Sequence, residues 1–430
     1  MLTLKTSETP SPPKHSLTPS SRKKITQKIS MPLTTRAHPS SDKYIRLSEK
    51  PRLIKSTYIP SCTRTLTKDP KQLTPKFTLS SAPQPHTKLK KPLPKTPSIF
   101  WNAKTIFKKP PSIIPKRSLL IKIPEPYQTS KPNENPLKSY QARTQTGFTN
   151  GKTKSHNQDT YLTLENYNQS SHQHLFGIFD GHGLFGHEVS NFVKKILPAY
   201  LSKSLPDNFK GPGLSIHALA EIPEIFNKCF FSIQEALISH PHIDITYSGT
   251  TNCLVYINGK TCICANVGDS RAVIGRYTDD WEPIELSQDH KPEKTEEKCR
   301  IEKLGGRVEP FFDPLTRKYV GPFRVWIKNQ QLPGLAMSRS FGDVLAASVG
   351  VICQPEVFIH TFTKDDKFFI IASDGVWGVL DSIGCVKIIS GFYEEGNVQG
   401  AADTLMGKVL DIWNKKDNSV DDITFIIVFL

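Results

Sequence analysis

The chain has 430 residues and a net charge of +16, but this charge is distributed very unevenly. Residues 1–138 contain 28 Lys and Arg against 6 Asp and Glu, whereas residues 139–430 carry a net charge of −6. The first segment also holds 22 of the 34 prolines and no glycine, which excludes regular helices and a packed core there. The sequence therefore predicts a long disordered basic tail over 1–138 and one globular domain over 139–430.

Cysteine usage and hydropathy predict the compartment. The eight cysteines are scattered without a CxxC pair, which is typical of free thiols in a reducing environment. No apolar run approaches the roughly 18 residues of a membrane span, and the first residues lack the apolar core of a secretory signal. We therefore expect no transmembrane segment and a cytoplasmic or nuclear location.

Six short apolar runs predict β-strands, because they are rich in β-branched and aromatic residues and end at Gly, Asn or Asp. In chain order they are HLFGIFD (174–180), NCLVYIN (252–258), TCICANVGD (261–269), AVIGRY (272–277), KFFIIASDG (367–375) and DITFIIVFL (422–430). Asn258-Gly259 stands between the second and third runs, and this dipeptide is typical of a tight hairpin. Antiparallel pairing is therefore expected.

Helical periodicity of apolar residues appears in four segments, 187–205, 222–239, 294–306 and 400–416. Pro198 is expected to bend or end the first helix, and Gly305-Gly306 to end the third. The strands come in hairpin groups and do not alternate strictly with helices. This order predicts an α+β fold with a central β-sandwich of two antiparallel sheets flanked by helices, an α-β-β-α arrangement.

Carboxylates stand at one end of four of these apolar runs, and a fifth acid opens a further run in SHNQDTYL (155–162). One such acid is usually a turn residue, but five in one domain indicate a cluster, which would repel itself unless cations occupied it. Oxygen ligands without clustered Cys or His suit Mg²⁺ or Mn²⁺ better than Zn²⁺, and two such ions can clamp a phosphoryl group. His182 follows the first acid closely enough to protonate a leaving oxygen. The acids are Asp159, Asp180, Asp269, Asp374 and Asp421, the last followed by Asp422.

Eight motifs occur in order over this domain: FDGHG, SGTT, NVGDSR, LSQDHKP, RIEKLGGRV, GLAMSRSFGD, ASDGVW and SVDDIT. Together they resemble the metal-dependent protein serine/threonine phosphatases of type 2C, and the resemblance runs from about Gln141 to Leu430. Stretches such as GPFRVWIKNQQLPGLAMSRSFGD look closest to the plant and protist branch. The resemblance implies hydrolysis of phosphoserine and phosphothreonine by a metal-bound water or hydroxide at a binuclear Mg/Mn centre.

The resemblance also implies metal-binding roles for individual residues, in a cleft at one end of the sandwich. Asp180 would bridge two metal ions, and Gly181 would contribute its carbonyl. Asp374 and Asp421 would complete the coordination of the first ion. Asp159 would bind through water at the second ion.

Further roles follow from the same resemblance. Asp269 would help Asp374 hold a weaker third ion, and His182 fits the proposed general acid. Lys154 stands where many members carry the arginine that grips the substrate phosphate. The segment 300–335 would form a flap beside the cleft that shapes substrate choice.

Three positions depart from the pattern of the family, and two others have structural expectations. Lys154 replaces a planar arginine with a point charge, Gln158 replaces a glutamate frequent in animal members, and Asp422 replaces a frequent asparagine. We interpret all three as tuning of activity. Asp343 and Arg339 lie in a family motif and are expected to be structural.

Two alternatives remain open at the level of sequence. The runner-up function is a pseudophosphatase or scaffold that binds phosphoproteins, although none of the matched metal acids is missing. The basic tail is either a solvated extension with phosphorylation sites or a docking segment for acidic surfaces such as microtubules, nucleic acid or anionic membrane. Phosphoserine and phosphothreonine proteins are the expected partners, and the chain is expected to be a monomer.

Overall fold

The computed structural model describes residues 135–149, 151–209, 211, 213–416 and 419–430. The predicted disordered tail lies outside the described residues except for its last four positions. The strands are β1 Ser139–Gln145, β2 Phe148–Thr149, β3 Lys152–Thr153, β4 Asp159–Leu164, β5 Gln173–His182, β6 Gly249–Thr250, β7 Asn252–Asn258, β8 Thr261–Val267, β9 Arg271–Tyr277, β10 Trp281–Glu285, β11 Gly306–Asp313, β12 Lys318–Ile327, β13 Pro333–Leu335, β14 Phe341–Gly342, β15 Glu356–Thr361, β16 Asp366–Ala372 and β17 Ile423–Phe429. The α-helices are α1 Gly186–Ser204, α2 Ile216–Ile238, α3 Thr295–Lys303, α4 Val344–Ala347, α5 Asp374–Trp377, α6 Ser382–Ser390 and α7 Val398–Lys416.

Two large antiparallel sheets form a sandwich. One has the strand order β1-β17-β16-β9-β10, and the other has the order β14-β6-β5-β7-β8-β15 with β4 also paired to β5. The hairpin predicted at Asn258-Gly259 is present, because β7 and β8 pair from Asn258 opposite Thr261. Gly259 adopts a positive φ of 56°, a conformation that glycine reaches without steric cost. The predicted β-sandwich is confirmed.

The long apolar runs arise because both faces of each sheet are buried. Along β5, Phe176 and Ile178 point between the two sheets and pack in one core cluster with Ile371 and Ile426 of the other sheet. The alternate residue Phe179 points to the opposite face and packs with α1 and α2. On the far side of the sandwich, α6 and α7 cover the outer face of β16 and β17. This is the predicted α-β-β-α layering.

Two helices differ from their predicted course. Helix α1 continues through Pro198 to Ser204, so of the two outcomes expected at this proline, a bend or an end, the helix end does not occur. Leu197 and Leu201 on either side of the proline are fully buried, and this packing outweighs the lost backbone hydrogen bond. Helix α2 begins six residues earlier than predicted, where Ser215 caps it by accepting a hydrogen bond from the amide of Ala218.

A separate three-stranded sheet, β11-β12-β13, occupies most of the segment 300–335, for which a flap is predicted. Helix α3 leads into it and ends before Gly305, whose φ of 87° satisfies the predicted glycine stop. The β11–β12 hairpin carries exposed apolar side chains, including Leu315 at 93% and Tyr319 at 58% exposure. Among the described residues, no helix has the length and apolar character needed to cross a membrane.

Candidate metal centre and active site

The topology brings the predicted strand-end acids to one edge of the sandwich. Asp159 at the start of β4 lies directly opposite Asp180 near the end of β5. In the other sheet, Ala372 at the end of β16 is paired with both Phe425 and Arg271. Asp374, Asp421 and Asp269 therefore stand just beyond one edge of that sheet. We call the five acids Asp159, Asp180, Asp269, Asp374 and Asp421 the carboxylate cluster.

Ser373 joins the two sheets at this edge. Its hydroxyl donates a hydrogen bond to Oδ2 of Asp159 at 2.7 Å and accepts one from the amide of Thr424 at 3.1 Å. A serine from one sheet thus fixes a carboxylate of the other. No local sequence pattern predicts this contact between residues 214 positions apart, although Ser373 lies in the ASDGVW motif.

The SGTT motif holds the main chain of Asp180. The carbonyl of Asp180 accepts hydrogen bonds from the amide of Thr251 at 2.8 Å and from the hydroxyl of Thr250 at 3.1 Å. The amide of Asp180 donates to the hydroxyl of Thr251 at 3.0 Å. With its backbone groups occupied in this way, the end of β5 presents the Asp180 carboxylate from a fixed support.

Gly181 is required by close packing. A Cβ atom there would lie 2.4 Å from the carbonyl oxygen of Gly186 and 2.6 Å from that of Gln158. The amide of Gly181 donates to the same Gln158 oxygen. Only glycine therefore allows α1 and the segment before β4 to approach the end of β5 so closely.

Three members of the cluster resist ionisation, and we call Asp159, Asp180 and Asp374 the inner carboxylates. Burial and the neighbouring charges of Asp159 and Asp374 raise the pKa of Asp180 well above its ordinary value. Burial, Asp269 and Asp421 raise the pKa of Asp374 to about 7. Burial also raises the pKa of Asp159 despite its hydrogen bond from Ser373. Bound cations would reduce this repulsion between the carboxylates.

The inner carboxylates fit hard divalent cations. Within the described part of the chain, no Lys, Arg or His forms an ion pair with any of them, and Oδ1 of Asp159 is buried without a hydrogen-bond partner. The described residues contain no ready-made cage of three or more acidic, imidazole or thiol groups around one ion. Mg²⁺ keeps several of its waters and needs only one or two carboxylates, so a site of paired acids suits it better than a closed cage.

Lys154 lies at the site but already has carboxylate partners. Its ammonium is 2.5 Å from Oδ1 of Asp421 and 3.4 Å from Oδ2 of Asp422. Burial lowers the pKa of Lys154, but the charges of these two acids outweigh it and raise the pKa above its ordinary value. The structure thus places the predicted phosphate-gripping cation beside a predicted metal ligand.

Asp422 has a structural function in addition to its charge. Its buried carboxylate accepts hydrogen bonds from the amide of Gly147 at 2.7 Å and from the amide of Gln158 at 3.0 Å. The side chain of Gln158 donates to the carbonyl of Gly183 at 2.6 Å. Two of the three positions that depart from the family pattern therefore tie the loops around the site together.

His182 is held by Asp343. Nε2 of His182 lies 2.6 Å from Oδ2 of Asp343, which also accepts a hydrogen bond from the hydroxyl of Ser340 at 2.6 Å. Burial lowers the pKa of His182, but the charge of Asp343 outweighs burial and the pKa is raised. Asp343, expected to be structural, thus orients the predicted general acid, a contact between residues 161 positions apart.

Asp269 is paired with Lys291, which sequence analysis did not single out. The ammonium of Lys291 lies 2.5 Å from Oδ2 of Asp269. Lys291 belongs to the LSQDHKP motif, so the motif was visible but the function of its lysine was not. All eight predicted site residues therefore lie at one edge of the sandwich, and two of the acids already face a lysine.

An α-β-β-α sandwich with a carboxylate cluster at one edge is the arrangement expected of a metal-dependent hydrolase. The family model described as protein phosphatase 2C matches residues 145–416. The chain belongs to the protein phosphatase 2C family.

Relatives and solved structures agree with this membership. The chain is 33% identical over 299 residues to probable protein phosphatase 2C 73 of Oryza sativa subsp. japonica, covering 64% of this chain and 69% of the relative. It is 35% identical over 286 residues to probable protein phosphatase 2C 72 of Arabidopsis thaliana, covering 65% of this chain and 82% of that relative. The serine-threonine phosphatase 2C from Toxoplasma gondii shares the fold with a TM-score of 0.58 at 23% identity, covering 69% of this chain and 96% of that one.

Proposed function

We propose that this protein hydrolyses phosphoserine and phosphothreonine in proteins with the help of two Mg²⁺ or Mn²⁺ ions. The observation that carries the proposal is the group of inner carboxylates, of which Asp159 is buried and Asp180 and Asp374 are half-buried. Burial and neighbouring acids raise the pKa of each, and none has an ion pair among the described residues. Membership in the protein phosphatase 2C family supports the reaction type. The plant relatives and the Toxoplasma gondii protein carry the word phosphatase in their names.

The residues would divide between the two ions as the family resemblance implies. Asp180, with the Gly181 carbonyl, would contact both ions, Asp374 and Asp421 would hold one, and Asp159 would serve the other through water. When bound, the ions supply charge that offsets the phosphoryl group and lower the pKa of water at the site. The chain contributes a rigid support, because the backbone of Asp180 is fixed by the SGTT motif and the Asp159 side chain by Ser373.

The proton for the leaving seryl or threonyl oxygen would come from His182. Because Nε2 of His182 is bound to Asp343, Nδ1 is the ring nitrogen left to donate a proton. In the described structure Nδ1 is buried without a hydrogen-bond partner, so it must become accessible when the substrate binds. The carboxylate of Asp343 favours the protonated imidazole, which is the form that a general acid needs. Lys154 would contact the phosphate once a cation replaces its ammonium beside Asp421.

The test is phosphate release from a phosphothreonine peptide by the full chain with Mn²⁺, with Mg²⁺ and with a chelator. Asp180→Asn removes the central carboxylate charge while keeping its shape, and it should abolish release. Asp279→Asn, at an exposed position between β9 and β10, is the matched control and should leave release unchanged. Metal-independent release, or full activity of Asp180→Asn, would contradict the proposal. Retained peptide binding without any release would favour the phosphoprotein-binding scaffold instead.

A further inference from the structure

The side of the cluster predicted to hold a third ion already contains a cation. Oδ2 of Asp269 is 2.5 Å from the ammonium of Lys291, and the Asp269 side chain is only 3% exposed. The other oxygen, Oδ1, is buried and has no hydrogen-bond partner among the described residues. A divalent cation on Oδ1 would stand close to the ammonium on Oδ2, and the two positive charges would repel each other.

Lys291 is held in place by contacts of the two residues that precede it. The amide of Gly268 donates to Nδ1 of His290 at 3.1 Å, and the amide of His290 donates to the carbonyl of Gly268 at 2.9 Å. Next to this pair, Arg271 binds both carboxylate oxygens of Asp289 at 2.8 and 2.9 Å. The turn that carries Asp269 and the loop that carries Lys291 are therefore fastened together at three consecutive points.

We propose that Lys291 is the fixed cation of this side of the site, so that Asp269 pairs with its ammonium and the protein binds two divalent ions instead of three. The inference rests on the two-ion site of the proposed function. It replaces the expectation that Asp269 is a metal ligand.

The test is to count Mn²⁺ ions bound to the full chain by equilibrium dialysis and by the electron paramagnetic resonance signal of free Mn²⁺. Wild type, Lys291→Arg and Asp269→Asn should each bind two ions. Lys291→Met should bind a third ion in the millimolar range, because Asp269 is then left buried without its partner. The double variant Lys291→Met/Asp269→Asn should return to two ions, which would place the third ion on Asp269.

The outcomes separate this inference from the proposed function. Three ions in wild type with one lost in Asp269→Asn would overturn the inference alone, and so would two ions in a folded Lys291→Met. No bound Mn²⁺ in wild type would overturn the two-ion site as well. Circular dichroism checks the fold of each variant, and if Lys291→Met does not fold, the comparison of wild type with Asp269→Asn still decides between two ions and three.

Discussion

Neutralising Asp374 should stabilise the metal-free protein and weaken the metal-bound one. The pKa of Asp374 rises from its ordinary value of 3.8 to about 7 because of burial and the neighbouring acids. In a chelator at pH 8, wild type must therefore fold with an ionised carboxylate that the fold disfavours. Asp374→Asn removes this charge, and its amide can donate a hydrogen bond to Asp180.

The size and the pH dependence of the effect follow from the shift. The shift corresponds to a free-energy cost of up to about 4 kcal/mol at pH 8, or roughly 7 °C in Tm for a domain of this size. An unfolded Asp374 ionises near pH 4, whereas the folded one keeps its proton until the pH nears 7. Wild type therefore loses stability as the pH rises through this interval, and the advantage of Asp374→Asn grows from nearly zero at pH 4 to its maximum above pH 7.

The assay is urea unfolding in chelator and in Mn²⁺ at pH 5, 6, 7 and 8. In Mn²⁺ at pH 8 the order should reverse, because wild type gains the binding free energy of the ions and Asp374→Asn gains less. Asp279→Asn controls for the loss of one surface charge. If Asp374→Asn is no more stable than wild type in chelator at pH 8, or if its advantage does not change with pH, the electrostatic reasoning for the cluster is wrong.

Three further predictions concern the packing around Gly181, the contact between Asp343 and His182, and the β11–β12 hairpin. Gly181→Ala should lose about 2 kcal/mol or more in urea unfolding because its methyl group meets backbone carbonyls, whereas Gly407→Ala, which has open space within a helix, should be neutral or stabilising. Asp343→Asn should lower kcat about 10- to 100-fold with little change in KM. It should also move the high-pH limb of the rate profile to lower pH, because His182 loses the neighbouring charge that raises its pKa. An unchanged pH profile would exclude His182 as the general acid that Asp343 orients. Tyr319→Ala, in the exposed β11–β12 hairpin, should reduce kcat/KM several-fold for phosphopeptides but not for a small aryl phosphate. An equal loss on both substrates would refute the expectation that this segment shapes substrate choice.

The sequence predicted the strand-end acids because each is a local anomaly. A carboxylate that follows an apolar run, as Asp180 follows Phe179, needs a physical reason, and the strand order then brings the acids together. The supports of the site were not predictable in this way. The pair of His182 and Asp343 joins residues 161 positions apart, and no pattern of composition or period records such a contact.

Local rules also failed where packing outweighs them. Pro198 is expected to bend or end α1, yet the helix does not end there because Leu197 and Leu201 are buried on both sides of it. The family resemblance offered Lys154 as a phosphate ligand and Asp269 as a metal ligand, but it did not record what each side chain faces. Only the structure shows that Lys154 faces Asp421 and that Asp269 faces Lys291.

The carboxylate cluster has two parts: acids that are paired with a lysine ammonium, and acids that are left for divalent ions. Asp421 and Asp269 at its edges each face an ammonium, whereas the inner carboxylates have no such partner among the described residues. The negative charge left for divalent ions is therefore concentrated on Asp159, Asp180 and Asp374, which lie where the two sheets meet. The Asp421 side chain is 47% exposed, whereas that of Asp269 is only 3% exposed, so Asp421 is the acid that can exchange its ammonium for an ion. An ion that binds Asp421 in place of Lys154 would release a positive charge at the edge where a substrate phosphate would arrive. Metal binding and preparation of the phosphate site would then be one event, because both depend on the same contact between Lys154 and Asp421.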